Sequence, residues 1–331
     1  MKTLIIALAF VGSYTGYNQT KTPVRDASIG LSSDTAMTTQ IILLGTGTPG
    51  PSPDRSGPCV GIVVNNKPYL VDLGPGVVRR AMAAYNKGIT ALHYSKLKTA
   101  FITHLHSDHT LGYPDFIFTP WVVGRRGPLN VFGPKGTKAM TNNILKAWQQ
   151  DIDIRNKGME KDFPEHTNSG YLVDVREIKP GVIYKDSNVI VKAFLVKHGD
   201  WKEAYGYRFE TPDKIIVISG DTGPSQSVID NCNGCDILIH EVYTEKAQTT
   251  SDSAWQAYRL KYHTSSKQLS ELATKARPKL LILYHQHYGI TLDKNNKNYV
   301  RPLSTEQDLI NEMHQYYKGR FISGHDLEIF K

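Results

Sequence analysis

The chain has 331 residues, of which 40% are hydrophobic, 21% charged and 10% aromatic. That length and mix suit one large globular domain or two ordinary ones with a sizeable core, and they exclude a disulfide-stapled miniprotein, a fibrous repeat and a disordered chain. Lys plus Arg exceed Asp plus Glu by 39 − 31 = 8, a bias toward anionic partners such as phosphate esters or nucleic acid, but the basic residues are scattered and a solvated Lys-rich surface accounts for the surplus equally well.

Residues 3–12 (TLIIALAFVG) form the one long apolar stretch, with Lys2 before it and Ser13 after it. It is too short to span a bilayer. The positive start and small-residue ending suit a secretory signal peptide over residues 1–13, hence export to the periplasm or beyond, against the alternative of a buried amino-terminal strand. Residues 14–38 are rich in Thr, Ser, Asp and Asn without apolar period and read as a polar tether, which leaves 39–331 for the folded domain. The cysteines are Cys59, Cys232 and Cys235. The lone Cys232-x-x-Cys235 fits loop thiols, a local disulfide or half a zinc knuckle, although no second such pair completes a knuckle. Cys59 reads as a buried thiol in the apolar run 59–64.

From residue 39 onward, short β-branched runs recur at 41–44, 61–64, 68–71, 99–102, 129–132, 189–196, 205–210, 214–218, 236–239 and 280–284. Helical spacing appears between them. Val77, Val78, Ala81, Met82 and Tyr85 follow Pro75 and stop at Gly88; Leu269, Leu272, Ala273 and Ala276 follow a Ser265-x-x-Gln268 capping box and stop before Pro278. The alternation gives an α/β or α+β chain. Gly45-Thr46-Gly47-Thr48-Pro49-Gly50 matches a dinucleotide-binding pattern, with Asp72 at the distance of a ribose-binding acid. The pattern requires a helix to open there, and Pro49, Pro51, Pro53 and Pro58 forbid one.

The chemistry is concentrated in Thr103-His104-Leu105-His106-Ser107-Asp108-His109, where four ligand-type residues lie within six positions after a strand. His104 and His106, at period two, project to one side, and Asp108 and His109 turn onto the following loop. Imidazole nitrogen and carboxylate oxygen are what a divalent metal such as zinc takes. Further strand-like runs also end in such residues: His198 after 194–196, Asp221 after 215–218, His240 and Glu241 after 237–239, and His285 after 280–284. Strand ends converge on one edge of a sheet sandwich, so the count gives two metals. His104, His106 and His198 would hold one, Asp108, His109 and His285 the other, and Asp221 would bridge them with a shared water between.

At these residues the chain resembles the metallo-β-lactamase superfamily, in the branch of ribonuclease Z and of arylsulfatase-like and phosphodiesterase-like hydrolases. The resemblance runs from about Gln40 to His285. It rests on Gly45-Thr46-Gly47-Thr48-Pro49, Val71-Asp72-Leu73-Gly74, the histidine motif, Gly206-Tyr207-Arg208-Phe209, Ser219-Gly220-Asp221-Thr222, His240-Glu241, His263-Thr264-Ser265 and His285. It implies an α+β fold, the four-layer αββα sandwich, with two zinc ions per chain, Asp221 as bridging ligand and often a homodimer. It also implies that Glu241 and His263, outside the metal shell, assist the leaving group: a carboxylate fixes the imidazole so that the protonated ring can donate to a departing oxygen. Asp108 is read as orienting the nucleophilic hydroxide as well as ligating. His240 reads as a buried neighbour of the site, and His287 competes with His285 for the ligand role.

The chain departs from bacterial ribonuclease Z in one respect. The long arm that grips tRNA should lie between the third metal histidine and the bridging aspartate, yet His198 and Asp221 are only 221 − 198 = 23 positions apart. The sequence therefore supports a metal-dependent hydrolase of phosphodiesters or sulfate esters, with a small ester or anionic substrate and with nucleic acid admitted but not required. Two alternatives are a β-lactam or lactone hydrolase of the same fold and a noncatalytic metal-stabilised binding protein. Trp201, Tyr113 and Trp121, each near a ligand segment, are candidates for the substrate pocket, with core packing as the competing reading.

Overall fold

Runs of Val, Ile, Leu and aromatic residues of four to eight positions make poor amphipathic helices, and in the computed structural model, which describes residues 38–292 and 300–331, they are strands. In chain order these are β1 (Gln40–Gly45), β2 (Cys59–Val64), β3 (Lys67–Val71), β4 (Thr99–Phe101), β5 (Leu129–Gly133), β6 (Val173–Glu177), β7 (Gly181–Lys185), β8 (Ile190–Leu195), β9 (Tyr205–Glu210), β10 (Ile215–Ile218), β11 (Ile237–Tyr243), β12 (Leu280–His287), β13 (Ile290–Leu292), β14 (Val300–Pro302), β15 (Phe321–Ser323) and β16 (Ile329–Phe330). One seven-stranded sheet runs β16-β1-β2-β3-β4-β5-β6 and the other β15-β12-β11-β10-β9-β8-β7, with β13 and β14 a separate ribbon. The signal peptide expected over 1–13 and the tether expected over 14–38 lie outside the described residues, apart from residue 38.

Alternation along each strand decides what it faces. In β2, Cys59 and Val63 pack outward while Val60, Ile62 and Val64 pack inward. All six residues of β2 are buried, as a sheet covered on both faces requires. Between the sheets, Ile41, Val60 and Phe101 meet Tyr207, Phe209 and Ile216. Outside the first sheet lie the helices Val77–Asn86 and Tyr113–Val122, and outside the second lie Gln226–Cys232, Ser266–Ala276 and Glu306–Tyr316. The expected αββα sandwich is therefore present.

Helix boundaries follow local chemistry. Gly76, at φ 93°, caps Val77–Asn86, and Gly88, at φ 99°, follows it; a left-handed backbone at such positions costs a side chain but not glycine. Ser265 and Gln268 form the expected capping box. Helix Tyr113–Val122 escaped a periodicity reading because it is apolar nearly all round and contains Pro120. Cys232 and Cys235 are joined as a disulfide between a helix end and β11, and Cys59 is a buried free thiol. Among the described residues no helix is long and apolar enough to cross a membrane.

Candidate metal centre

The site lies where strands of both sheets end. His104 and His106 leave β4, and Ser107–Thr110 closes as one short helical turn rather than the expected loop. That turn brings Asp108 and His109 back toward the strand end. His198 follows β8, Asp221 follows β10, Glu241 sits in β11 and His285 in β12. The structure brings all seven ligand-type residues together in two groups: His104, His106, His198 and Asp221 in one, Asp108, His109 and His285 in the other.

Their separations fit coordination. Four donors about 2.05 Å from a tetrahedral ion lie about 3.3 Å from one another. In the first group His106 Nδ1 is 2.9 Å from His104 Nε2 and 3.1 Å from His198 Nε2, and Asp221 Oδ2 is 4.0 and 3.9 Å from those two nitrogens. In the second, Asp108 Oδ2 is 3.6 Å from both His109 Nε2 and His285 Nε2, while Asp221 Oδ1 is 3.4 Å from His109 and its Oδ2 3.2 Å from His285. Asp221 thus stands between the groups. Asp108 Oδ2, His109 Nε2 and His285 Nε2 are buried with no hydrogen-bond partner. Orphaned polar atoms are costly in a core. Three that point at one place are what a cation would satisfy, so these residues fit a divalent metal, typically zinc.

Backbone and neighbouring side chains fix which ring nitrogen is free. His104 Nδ1 meets Thr103 Oγ1 at 3.0 Å, His198 Nδ1 meets the Tyr262 carbonyl at 2.8 Å, His109 Nδ1 meets Asp72 Oδ2 at 2.8 Å, and His285 Nδ1 donates to the Gly47 carbonyl. With each Nδ1 as donor, each Nε2 presents its lone pair to the centre. His106 is the exception. Trp201 Nε1 donates to its Nε2 at 2.8 Å; that tautomer carries its proton on Nδ1, whereas coordination through Nδ1 puts the proton on Nε2, so the indole and a metal select opposite tautomers.

Sequence reasoning undervalued two of these supports. Asp72, at φ 63° just past β3, also accepts from the Thr103 N–H and hydroxyl; the signal was an acid at a strand end beside the histidine motif. The glycine pattern at 45–50 serves the site without a nucleotide. A Cβ on Gly45 would stand 2.0 Å from the Gly57 carbonyl oxygen and one on Gly47 2.7 Å from that of Ser56, and this close approach holds the Gly47 carbonyl against His285.

Burial lowers the His104 pKa, and takes His106 and His198 to about 4, so these rings are neutral ligands at pH 7. For His109 and His285 burial acts the same way, but the carboxylates around them, Asp221 foremost, outweigh it and raise both. Asp221 itself is held well below the usual carboxylate range, its burial outweighed by His285 and His109.

Beside the centre, Glu241 Oε1 accepts from the Thr222 and Thr264 N–H groups at 3.2 and 3.1 Å and lies 3.2 Å from His263 Nδ1. Burial and Asp221 raise the Glu241 pKa, and burial lowers His263 to about 4. The His263 ring is 5.3 Å from that of His198. His240 is fully buried and outside both ligand groups. His287 belongs to neither group but packs on His263 and His285, at ring distances of 4.4 and 4.6 Å. Tyr113 and Trp121 take the packing reading. They are buried in the outer core, where Tyr113 bonds Thr141 and Trp121 donates to the Thr167 carbonyl; both ride on a helix whose apolar face must be covered.

A β-lactamase superfamily domain matches residues 68–286. Ribonuclease Z of Mycobacterium marinum is 31% identical over 251 residues, covering 74% of this chain and 85% of that protein. Among solved structures, the metallo-β-lactamase fold protein YhfI from Bacillus subtilis aligns with TM-score 0.62 at 15% identity, over 89% of this chain and 100% of that one. Human tRNase Z, short form, aligns with TM-score 0.60 at 21% identity, over 88% and 98%. The chain belongs to the metallo-β-lactamase superfamily. Within it, the chain is a metal-dependent hydrolase similar to ribonuclease Z.

Proposed function

We propose that the protein is a two-zinc phosphodiesterase of ribonuclease Z type, acting on phosphodiesters whose leaving group is an alkoxide or aryloxide. The observation that carries this reading is the Glu241–His263 pair, buried beside the ligand groups. Two such ions, when bound, supply an acidified water and electrostatic stabilisation of developing negative charge. His104, His106, His198 and Asp221 would hold one and Asp108, His109, His285 and Asp221 the other. Asp108, with one oxygen aimed into the centre, also orients the attacking water. His263, neutral at rest and steered by Glu241 through Nδ1, would take up the proton that the attacking water loses and pass it to the departing oxygen, a step worth about 10² to 10⁴ in rate. Sulfate esters present a similar tetrahedral group and belong to the same substrate range.

An aromatic ladder adjoins this pair, with the Tyr258 ring 5.7 Å from that of His263. Tyr262 packs on Gly199, where a Cβ would stand 2.0 Å from its ring. Tyr258 stacks on Tyr262 at 4.4 Å and 14°, and Trp255, half-exposed, meets Tyr258 at 5.5 Å. Such a ladder supports a nucleobase or aryl leaving group. Between His198 and Asp221 the chain makes only the β9–β10 hairpin, paired from Ile215↔Glu210 to Ile218↔Tyr207. A tRNA-gripping arm in that interval has no residues to form it, which favours short or small diesters over dedicated tRNA maturation. Export accords with the Cys232–Cys235 disulfide, since such bonds persist in oxidising compartments. A homodimer completes the proposal, to be read by sedimentation.

The test is turnover of zinc-loaded enzyme on aryl and alkyl phosphodiesters of graded leaving-group pKa, with an aryl sulfate, a cephalosporin and a lactone alongside. His263→Ala should retain its metal and lose about 10² to 10⁴ in rate on poor leaving groups, but little on p-nitrophenolate. An equal loss across the series, or preference for the lactam or lactone, overturns the assignment.

A further inference from the structure

A third set of donors stands outside the two metal groups. Glu241, His263 and His287 each place one ligand-type atom within 4.8 Å of the other two. Glu241 is fully buried, and its Oε2 has no hydrogen-bond partner, because both backbone N–H groups and His263 go to Oε1. His287 Nε2 is likewise buried without a partner. A buried carboxylate oxygen and a buried imidazole nitrogen, each without a protein partner, carry a desolvation cost that a shared cation would offset. A second imidazole next to them makes an N₂O donor set, the type that zinc and similar borderline cations take.

We propose that Glu241, His263 and His287 form a third, inhibitory cation site, filled by zinc or a chemically similar divalent ion when that ion exceeds what the two main groups hold. The consequence rests on the reading of His263 as proton donor. A cation on the imidazole replaces the proton that would make the ring an imidazolium, and a cation on Glu241 withdraws the carboxylate that steers it. The site therefore needs no access to substrate to stop turnover. Its weak point is His287: it lies at the end of β12, two positions past His285, and among the three it alone has no assigned part in metal binding or proton transfer at the main centre. Removing it dismantles the third site and leaves the main centre its full donor set.

The experiment is equilibrium dialysis of the full-length protein against stepped free zinc, with metal counted by elemental analysis and turnover of bis-p-nitrophenyl phosphate and an alkyl diester measured on the same samples. Wild type should gain a third equivalent above two and lose activity on the alkyl diester as it fills. His287→Ala should stop at two equivalents, and the zinc concentration that halves its activity should rise at least about tenfold, the scale on which altered metal surroundings change affinity. His287→Gln, which keeps bulk and polarity, guards against loss of folding and should behave as the alanine variant does. Stoichiometry stays readable with cobalt absorption even if no diester is turned over, so failure of the phosphodiesterase reading is distinguishable from failure of this one. A wild type that stops at two equivalents, or a His287 variant with an unchanged third equivalent, overturns the proposal.

Discussion

His104, His106 and His198 meet Asp221 as three imidazoles that burial keeps neutral, and one of them, His106, also accepts a hydrogen bond from the part-exposed Trp201. Across the same aspartate, His109 and His285 share space with a second carboxylate, Asp108, and their pKa values are raised. The supports differ as well: a hydroxyl and a carbonyl orient His104 and His198, whereas the Asp72 carboxylate orients His109. The first group thus offers three neutral nitrogens beside Asp221, with only His106 part-exposed, and the second adds a carboxylate of its own, Asp108, to the shared one. A cation gains more electrostatically from the second, because two carboxylates face it in low dielectric. The second group should therefore load first and release last.

The strongest way to break this comparison is to remove what the halves share. Asp221→Ala leaves two cations without their common anion, so both equivalents should fall together in elemental analysis and turnover should drop to the level of chelated protein; retention of one full equivalent would show that one half stands alone. Asp72→Asn should separate the halves. The amide places an N–H where His109 Nδ1–H needs an acceptor, so His109 loses the tautomer that offers Nε2, and affinity for one equivalent should fall about 10- to 100-fold while the other is unchanged.

Acid sharpens the contrast further. His106 and His198 have pKa values near 4 in the fold, against about 6.5 for a free imidazole. Between those values the unfolded chain binds more protons, so their contribution is complete above pH 6.5 and is lost on descent toward 4. His109 and His285, being raised, contribute in the opposite sense: theirs is present below 6.5 and lost as pH rises through their folded values. Thermal unfolding of chelated protein should show a midpoint that falls on acidification below 6.5, and His198→Ala should flatten that fall. A slope unchanged in the variant would remove His198 from the account. The smallest effect is expected at Trp201. Trp201→Phe frees His106 from a hydrogen bond worth about 1 kcal/mol, so the first group should bind its ion roughly five-fold more tightly, as read by competition with a chromogenic chelator.

Much of this centre was legible because its residues are ordered by the strand. His104, His106, Asp108 and His109 lie together in the sequence, and a strand end followed by a tight turn is enough to aim them at one place. His198, Asp221 and His285 were legible for a related reason: each ends a β-branched run, and strand ends of a sandwich share an edge. Strands β6 and β7 were missed since their faces are only half-buried and carry charged residues, and β15 and β16 because three and two residues are too few to show a period.

The sequence by itself determined the donor types, their spacing within the histidine motif and the alternation that builds two sheets, since these depend on side-chain chemistry and on near neighbours. Only the tertiary structure decided which nitrogen of His198, His285 and His109 faces the centre, because the partners that decide it are the Tyr262 and Gly47 carbonyls and the Asp72 carboxylate. A backbone carbonyl carries no residue signature, and these lie 64, 238 and 37 positions from the rings they hold. The gathering of Glu241, His263 and His287 was decided in the same way, by the register of β11 against β12, where Tyr243 pairs with His287 beyond the bulge that follows Glu241.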